Sequence, residues 1–236
     1  MSETALVLID SMNKVIDIQK AIGCIQKNST VLLGGFTNMG CPLHLLYELA
    51  RHPEIDGLTL VSEDFGWSGL DYVAGPEILL NNGQLKKAII SFLGSHTAAE
   101  RAIAEGRMEV EFVPQGTLAE RLRAAGAGLG GFYTPTGVGT EVEQGKETKV
   151  IDGKKYLLEL PLRGDVALVK AYKADRYGNA TFKYTAQNFN TCMAMAAETV
   201  ILEVEELVEP GGIEPDRVGL PGVFVDHIVV CEGAMF

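Results

Sequence analysis

The sequence predicts an α/β protein: an open, mainly parallel sheet with flanking helices and an antiparallel hairpin elaboration. Two observations lead there. Between residues 30 and 126, short apolar runs alternate with stretches of helical periodicity, the spacing of strands joined by crossover helices. Beyond residue 126 the texture shifts to glycine-rich turns and paired β segments, which place the antiparallel part late in the chain.

The elements follow in order. NKVIDIQKAIGCIQ (13–26) sets Val15, Ile18, Ile22 and Ile25 on one helical face. TVLLGG (30–35) reads as a buried strand delivering a glycine loop. Pro42 opens PLHLLYELA, a helix turning Leu45, Leu46 and Leu49 inward, since proline suits a first helical position. GLTLVS (57–62) and KKAIISFLG (86–94) are the second and third strands, and TAAERAIAEG (97–106) is a helix closed by Gly106. MEVEFV (108–113) alternates like a strand, and TLAERLRAAG (117–126) is a helix ended by glycine. The stretch 127–147 is too long for a plain connection and reads as an ordered functional loop. TKVIDGKKYLLEL turns back at Asp152-Gly153 as a hairpin, and DVALVKAYKAD with NATFKY forms a second antiparallel pair around RYG. FNTCMAMAAE is a helix, TVILEVEELV a strand, and GVFVDHIVV a last strand containing Asp226 and His227. One domain over residues 1–236 is the expected organisation.

Composition narrows the class. Of the 236 residues 47% are apolar and 22% charged, which is globular rather than disordered. A net charge of −11 argues against a nucleic-acid or anionic-membrane partner, because phosphate contacts need clustered Lys and Arg. Cys24, Cys41, Cys192 and Cys231 are scattered and read as reduced thiols, not as a disulfide frame or zinc site. MSETALVLIDSMNKV has acidic residues where a signal peptide needs basic ones, and no apolar run reaches membrane-spanning length. The expectation is a soluble, cytoplasmic protein.

In parallel sheets ligands gather at the carboxyl ends of the strands. Gly34-Gly35, Ser62-Glu63 and Pro114-Gln115 all follow expected strands and are expected to share one rim. GGFTNMGCP (34–42) departs from both GxGxxG and the Walker pattern, so on its own it stays open between a ligand loop and a tight turn. Four dispersed histidines show no metal-ligand spacing. His96 is read as an exposed helix-start residue, His44 and His52 as helix-surface residues, and Glu203, Glu205 and Glu206 as a solvated strand edge. Lys146, Lys149, Lys154 and Lys155 read as a charged hairpin surface.

GGFTNMGCP matches the GGFxxxGxP signature of the family I coenzyme A transferases, on the subunit called α or A. PQGTLAERLRAAGAG (114–128), GGFYTPTGVGTEVEQGKE (130–147), LLELPLRGDVALVKAYKAD (157–175), AQNFN (186–190), MAAETVILEVEELVE (195–209) and PGVFVDHIV (221–229) resemble the same subunit in order. Lys27 stands where that pattern prefers Asp or Asn, and Gln187 replaces a common Arg. The resemblance implies the α subunit of a 3-oxoacid or butyrate–acetoacetate type transferase, paired with a β subunit in an α2β2-type assembly. It implies no resident cofactor or metal, the coenzyme A thioester being a substrate. Chemistry of that kind passes through an acyl–glutamyl anhydride and an enzyme–CoA thioester, with the nucleophilic glutamate on the β subunit.

Carried over residue by residue, the resemblance assigns coenzyme A binding to Gly34, Gly35, Phe36, Thr37, Asn38, Met39 and Gly40. It assigns Gln115 an amide donor's place near the reacting carbonyl; the rival reading is a cap for a helix beginning at Thr117. Gly128, Gly130, Gly131 and 134–137 are expected to shape the pocket or a subunit contact. Glu63 of VSEDFG falls where, by analogy with the β layout, that subunit carries its nucleophile. Asp64-Phe65 replaces the Asn-Gly continuation of the β motif, and a second carboxylate raises the cost of burying the first, which favours a solvated or structural Glu63. The remaining rivals are a self-sufficient transferase using Glu63, a non-catalytic interface subunit, and a sugar-phosphate isomerase, for which no acid–base set is present.

Overall fold

The computed structural model describes residues 13–66, 75–94 and 96–231. The amino-terminal MSETALVLIDSM, with its leader reading, and residues 67–70 of the run after Glu63 lie outside the described residues.

α1 (Ile18–Ile22) is shorter than the helix expected over 13–26. Asp17 starts it, its carboxylate accepting the Lys20 N–H at 2.9 Å. Upstream the chain is extended: Ile16 N–H donates to Ile228 O and Ile228 N–H to Lys14 O, so Val15 bridges to the last strand. Tertiary pairing wins over helical periodicity there. β1 (Thr30–Leu33), β2 (Leu58–Val61), β3 (Leu85–Ile90) and β4 (Glu109–Phe112) then lie side by side, all parallel. α2 (Leu43–Ala50), α3 (Glu77–Asn81) and α4 (Thr97–Ala104) fall between them, with Pro42 one residue before α2 rather than inside it.

α5 (Gln115–Gly126) starts at Gln115, two residues ahead of expectation. Gly126 is its last helical residue, and the left-handed turn that closes it comes at Gly128, φ +70°. β5 (Phe132–Thr134), β6 (Thr148–Ile151) and β7 (Lys154–Glu159) form a separate antiparallel sheet in the order β5-β7-β6. Its hairpin turns at Asp152 (φ 49°) and Gly153 (φ 75°), the pair of positive angles that suits the strand twist.

The chain then returns to the main sheet. β8 (Gly164–Asp175) pairs with β1 in parallel, and β9 (Ala180–Thr181) folds back antiparallel on β8. α6 (Asn190–Ala196) runs directly into β10 (Ala197–Val208), which pairs with β8, and β11 (His227–Val230) closes that edge. Residues 222–224 form a 3-10 turn, so Asp226 precedes the last strand instead of lying inside it; its carboxylate accepts the Val200 N–H at 2.8 Å.

The main sheet is ordered β11-β10-β8-β1-β2-β3-β4. Strand order therefore runs outward in both directions from the β1–β8 pair, which makes that pair the topological switch point. Both faces are covered. Leu33, Leu60, Ile90 and Leu168 pack under α1 to α4, against Leu45, Leu46, Leu49 and Leu79. Leu32, Val61, Ile89 and Val169 point the other way, under α5 and α6, against Leu118, Leu122 and Met193. The period-two alternation of Leu32 and Leu33 is what lets one strand serve both layers. No helix among the described residues is long and apolar enough to cross a membrane.

Candidate active site

The loop 34–40 leaves β1 at the switch point and is bound tightly on two sides. Phe36 and Met39 exchange backbone hydrogen bonds of 3.1 and 3.0 Å, a turn that holds Thr37 at φ +53°. Asp64, just beyond β2, supports that strained residue by accepting the Thr37 N–H at 2.8 Å, and its other oxygen accepts the Gly66 N–H at 2.8 Å. From the β8 side, buried Asn190 donates to Gly40 O (2.9 Å) and Ala186 O (2.7 Å) and accepts the Lys170 N–H at 2.9 Å. Asn188 donates to Met39 O at 2.8 Å. The glycines are required by this closeness: a Cβ on Gly34 would stand 1.9 Å from Asn190 Oδ1. The outcome is a fixed loop that presents Phe36 and Met39, nearly half exposed, on the rim.

Glu63 and Gln115 come together on the same rim. β2 continues past Val61 in bonded register with β3, Ser62 N–H donating to Ile89 O and Ser91 N–H to Glu63 O. Alternation puts Glu63 on the face of Val61, the face that α5 covers. Pro114, with ψ 134°, turns the chain out of β4 so that Gln115 becomes the first residue of α5. The Gln115 Nε2 then donates to Glu63 Oε1 at 2.6 Å. Glu63 is only 3% exposed, which overturns the solvated reading. Burial and, after it, the neighbouring Asp64 push its carboxyl up to about 7, against the opposing pull of the Gln115 N–H. Its second oxygen, Oε2, is buried with no hydrogen-bond partner among the described residues.

Beside the Gln115 amide lies a hollow of about 320 Å3, lined by Phe36, Gln115, Gly116, Ala119, Asn188, Phe189 and Cys192. None of these side chains is charged. Burial pushes the Cys192 thiol up to about 11, so it is a neutral wall and not a nucleophile. Across the loop a second hollow of about 240 Å3 carries Lys170 and Lys183, both paired with Glu205.

Other expected residues lie elsewhere. His96 is 2% exposed, not at the surface: its ring nitrogens meet Glu77 at 3.1 Å and Gly66 O at 3.0 Å, and its edge meets Phe65. Glu203 is 1% exposed and is no strand edge; it accepts from Leu45 N–H (3.1 Å), pairs with His44 Nδ1 (2.9 Å), and has Lys170 Nζ at 3.5 Å. His44 is thereby drawn in from the surface. With Cys231, His44 and Glu203 form the closest approach to a metal-ligand cluster among the described residues, but Lys170 already balances the carboxylate's charge. Lys146 and Lys155 pair with Glu159 and Glu143 in the small sheet, and Lys149 and Lys154 lie over Tyr133 and Tyr156. Gly128, Gly130, Gly131 and 134–137 line neither hollow. Sequence reasoning assigned no role to Asn188, Asn190 or the Asp64 anchor; the paired asparagines of AQNFN, at the start of a helix, were the available signal.

Known proteins place this geometry. The coenzyme A transferase family model matches residues 15–231. The chain is 44% identical over 219 residues to the alpha subunit of the acetate CoA-transferase of Escherichia coli K12, covering 93% of this chain and 97% of that protein. It is 46% identical over 220 residues to the A-type subunit of the probable succinyl-CoA:3-ketoacid coenzyme A transferase of Bacillus subtilis, covering 93% and 90%. Among solved structures, the acyl-CoA transferase apoenzyme of Escherichia coli O157:H7 superposes with a TM-score of 0.82 at 24% identity, a likeness of fold. That match covers 93% of this chain, which spans 47% of the larger one. With the family model spanning nearly the whole chain and full-length relatives far above chance identity, this protein belongs to the coenzyme A transferase family.

Proposed function

We propose that this chain is the α subunit of a CoA-transferase that moves CoA between a short-chain acyl-CoA and a carboxylic acid of the acetate, acetoacetate and butyrate class. It works with a β subunit, in an α2β2-type assembly, and the β subunit carries the nucleophilic glutamate. One observation supports this reading most directly. A donor amide and a fixed glycine loop converge on an uncharged hollow at the switch point, while both nearby carboxylates are engaged in holding the site together. The attacking carboxylate is then left to another chain. Relatives matched over nearly their whole length are themselves named as alpha or A-type subunits, which fits.

The chemistry proceeds without a net proton transfer. The partner glutamate attacks the thioester carbonyl, the carbon–sulfur bond breaks, and CoA leaves as a thiolate from an acyl–glutamyl anhydride. The thiolate attacks the glutamyl carbonyl, releasing the first acid and leaving an enzyme–CoA thioester; the second acid takes CoA by the reverse steps. Each addition places negative charge on a carbonyl oxygen, and the Gln115 amide stands at the hollow to meet it with an N–H. The loop Gly34 to Gly40 holds CoA, its glycines letting Asn190, Cys41 and Ala186 pack against the backbone and so fix the shape the loop presents. CoA is consumed and regenerated as substrate. The absence of a cation from the lining of the hollow suits a short uncharged acyl chain better than a dicarboxylate.

The test is transfer of CoA from butyryl-CoA to acetate by this chain alone and by its complex with the β subunit. Turnover is expected only in the complex, and borohydride trapping of the enzyme–CoA thioester should map to a β-subunit peptide. Robust turnover by the isolated chain, or trapping at Glu63, overturns the assignment. In the complex, Gln115→Ala is expected to lower kcat about a hundredfold, the usual cost of one such donor.

A further inference from the structure

We infer that Glu63 is a positioning residue, whose carboxylate orients the Gln115 amide so that one N–H is held and the other is presented to the reacting carbonyl. The inference rests on the donor role proposed for Gln115. The geometry favours it over the other two roles open to Glu63. A nucleophile needs an approachable oxygen, yet Oε1 is engaged by Gln115 at 2.6 Å and Oε2 is sealed from solvent. A merely buried carboxyl gains nothing from this place, because burial without full pairing is costly and a leucine would fill it more cheaply.

Gln115 itself explains the need. It is an exposed side chain at the first turn of a helix, and free glutamine there samples many rotamers and both amide orientations. Rotation of its amide by half a turn would aim an oxygen at the developing oxyanion and replace attraction by repulsion. Glu63 Oε1 is the acceptor in this contact, which selects the orientation with the NH2 group facing it, and above about pH 7, where the carboxyl is ionised, it has no proton to donate. The contact is short, and above about pH 7, with the carboxyl ionised, it is of the charge-assisted kind, stronger than a neutral pair. Because the amide carries two N–H groups, holding one leaves the other, and among the described residues Nε2 donates to nothing else. The support is rigid as well: the Glu63 backbone is fixed by the Ser91 N–H at 2.9 Å, and Asp64 beside it is tied into the glycine loop. Strand, loop and helix thus meet in one hydrogen-bonded unit.

The experiment is steady-state kinetics on the complex with its β subunit, with butyryl-CoA and acetate, for the parent, Glu63→Ala, Glu63→Gln, Gln115→Ala and the Glu63→Ala/Gln115→Ala double variant. Glu63→Ala is expected to lower kcat about thirtyfold while KM for both substrates stays within about twofold, since a misaimed donor costs rate more than binding. Glu63→Gln can still accept through its own amide oxygen and is expected to recover to within about fivefold of the parent. The double variant should be no slower than Gln115→Ala alone, because a positioning residue has nothing left to position. Parental kcat in Glu63→Ala overturns the inference, as does a Glu63→Gln enzyme as slow as Glu63→Ala, or a Glu63→Ala penalty that persists undiminished in the Gln115→Ala background. If Gln115→Ala itself turns over normally, the donor reading fails and takes the inference with it. If Gln115→Ala is slow and Glu63→Ala is not, the inference fails alone.

Discussion

At residue 63 a carboxyl sits under a helix with a single hydrogen-bond donor, and that has a consequence for stability separate from catalysis. Burial and Asp64 raise its folded-state value from the ordinary 4.5 to about 7. A group that holds its proton more tightly when folded favours the folded state fully below its unfolded value, and that contribution is lost as pH rises through about 7. Glu63→Gln cannot titrate. Thermal unfolding of parent and variant complexes should therefore show the variant gaining Tm on the parent between about pH 5 and about pH 8. A constant Tm difference across that range would mean that the carboxyl is not raised. The sequence left Glu63 open because its exposure depends on α5, a helix more than fifty positions later, lying over it. His96 and Glu203 were misread for the same reason. Charged and polar residues default to the surface, and the partners that draw these two inward, Glu77 for His96, and His44 and Lys170 for Glu203, come from other elements.

Among the elements, α5 matters most to the site, because its first residue is Gln115 and its last, Gly126, touches α6. A Cβ built on Gly126 would stand 2.7 Å from the Met195 side chain and 2.8 Å from its carbonyl oxygen. Gly116, in the first turn of the same helix, would place a Cβ in open space. The two glycines should therefore respond oppositely to alanine. Gly126→Ala is expected to destabilise by about 1–3 kcal/mol through overpacking. Gly116→Ala should gain about 0.5–1 kcal/mol from helix propensity while narrowing the hollow that Gly116 lines. Urea melts of the two variants check the signs: a Gly126→Ala protein as stable as the parent would show that α5 and α6 do not pack as closely as described, and a destabilised Gly116→Ala would show that its site is not open. Element identity was legible from periodicity and turn chemistry, and the Asp152-Gly153 hairpin from its dipeptide alone. Boundaries failed where the deciding partner was distant. Val15 left its helix for β11, and Gly126 looked like a stop signal when it is a helix–helix contact, with the stop two residues later at Gly128.

The hollow beside Gln115 exists only at the scale of the whole molecule, since loop 34–40, α5 and α6 reach it from three separated stretches of chain. Alternating strands and helices implied that the rim would form, but not that strand order reverses between β1 and β8, because strand order is decided by long-range pairing. That reversal brings Phe36, Ala119 and Phe189 to one hollow and leaves its lining without a charge. A succinyl chain entering it would bury a carboxylate that no cation among this chain's described lining residues meets, whereas an acetyl or butyryl chain would bury only apolar surface. The assembled enzyme should accordingly favour butyryl-CoA over succinyl-CoA in kcat/KM by at least about a hundredfold, the discrimination expected when a charge is left unpaired. Ala119→Phe should then shorten the accepted chain. Butyryl-CoA is expected to lose about tenfold or more in kcat/KM and acetyl-CoA about threefold or less, because only the longer chain reaches the filled volume. Equal losses for both would mean that Ala119 does not meet the acyl chain, and brisk transfer from succinyl-CoA would place the acyl group outside this hollow.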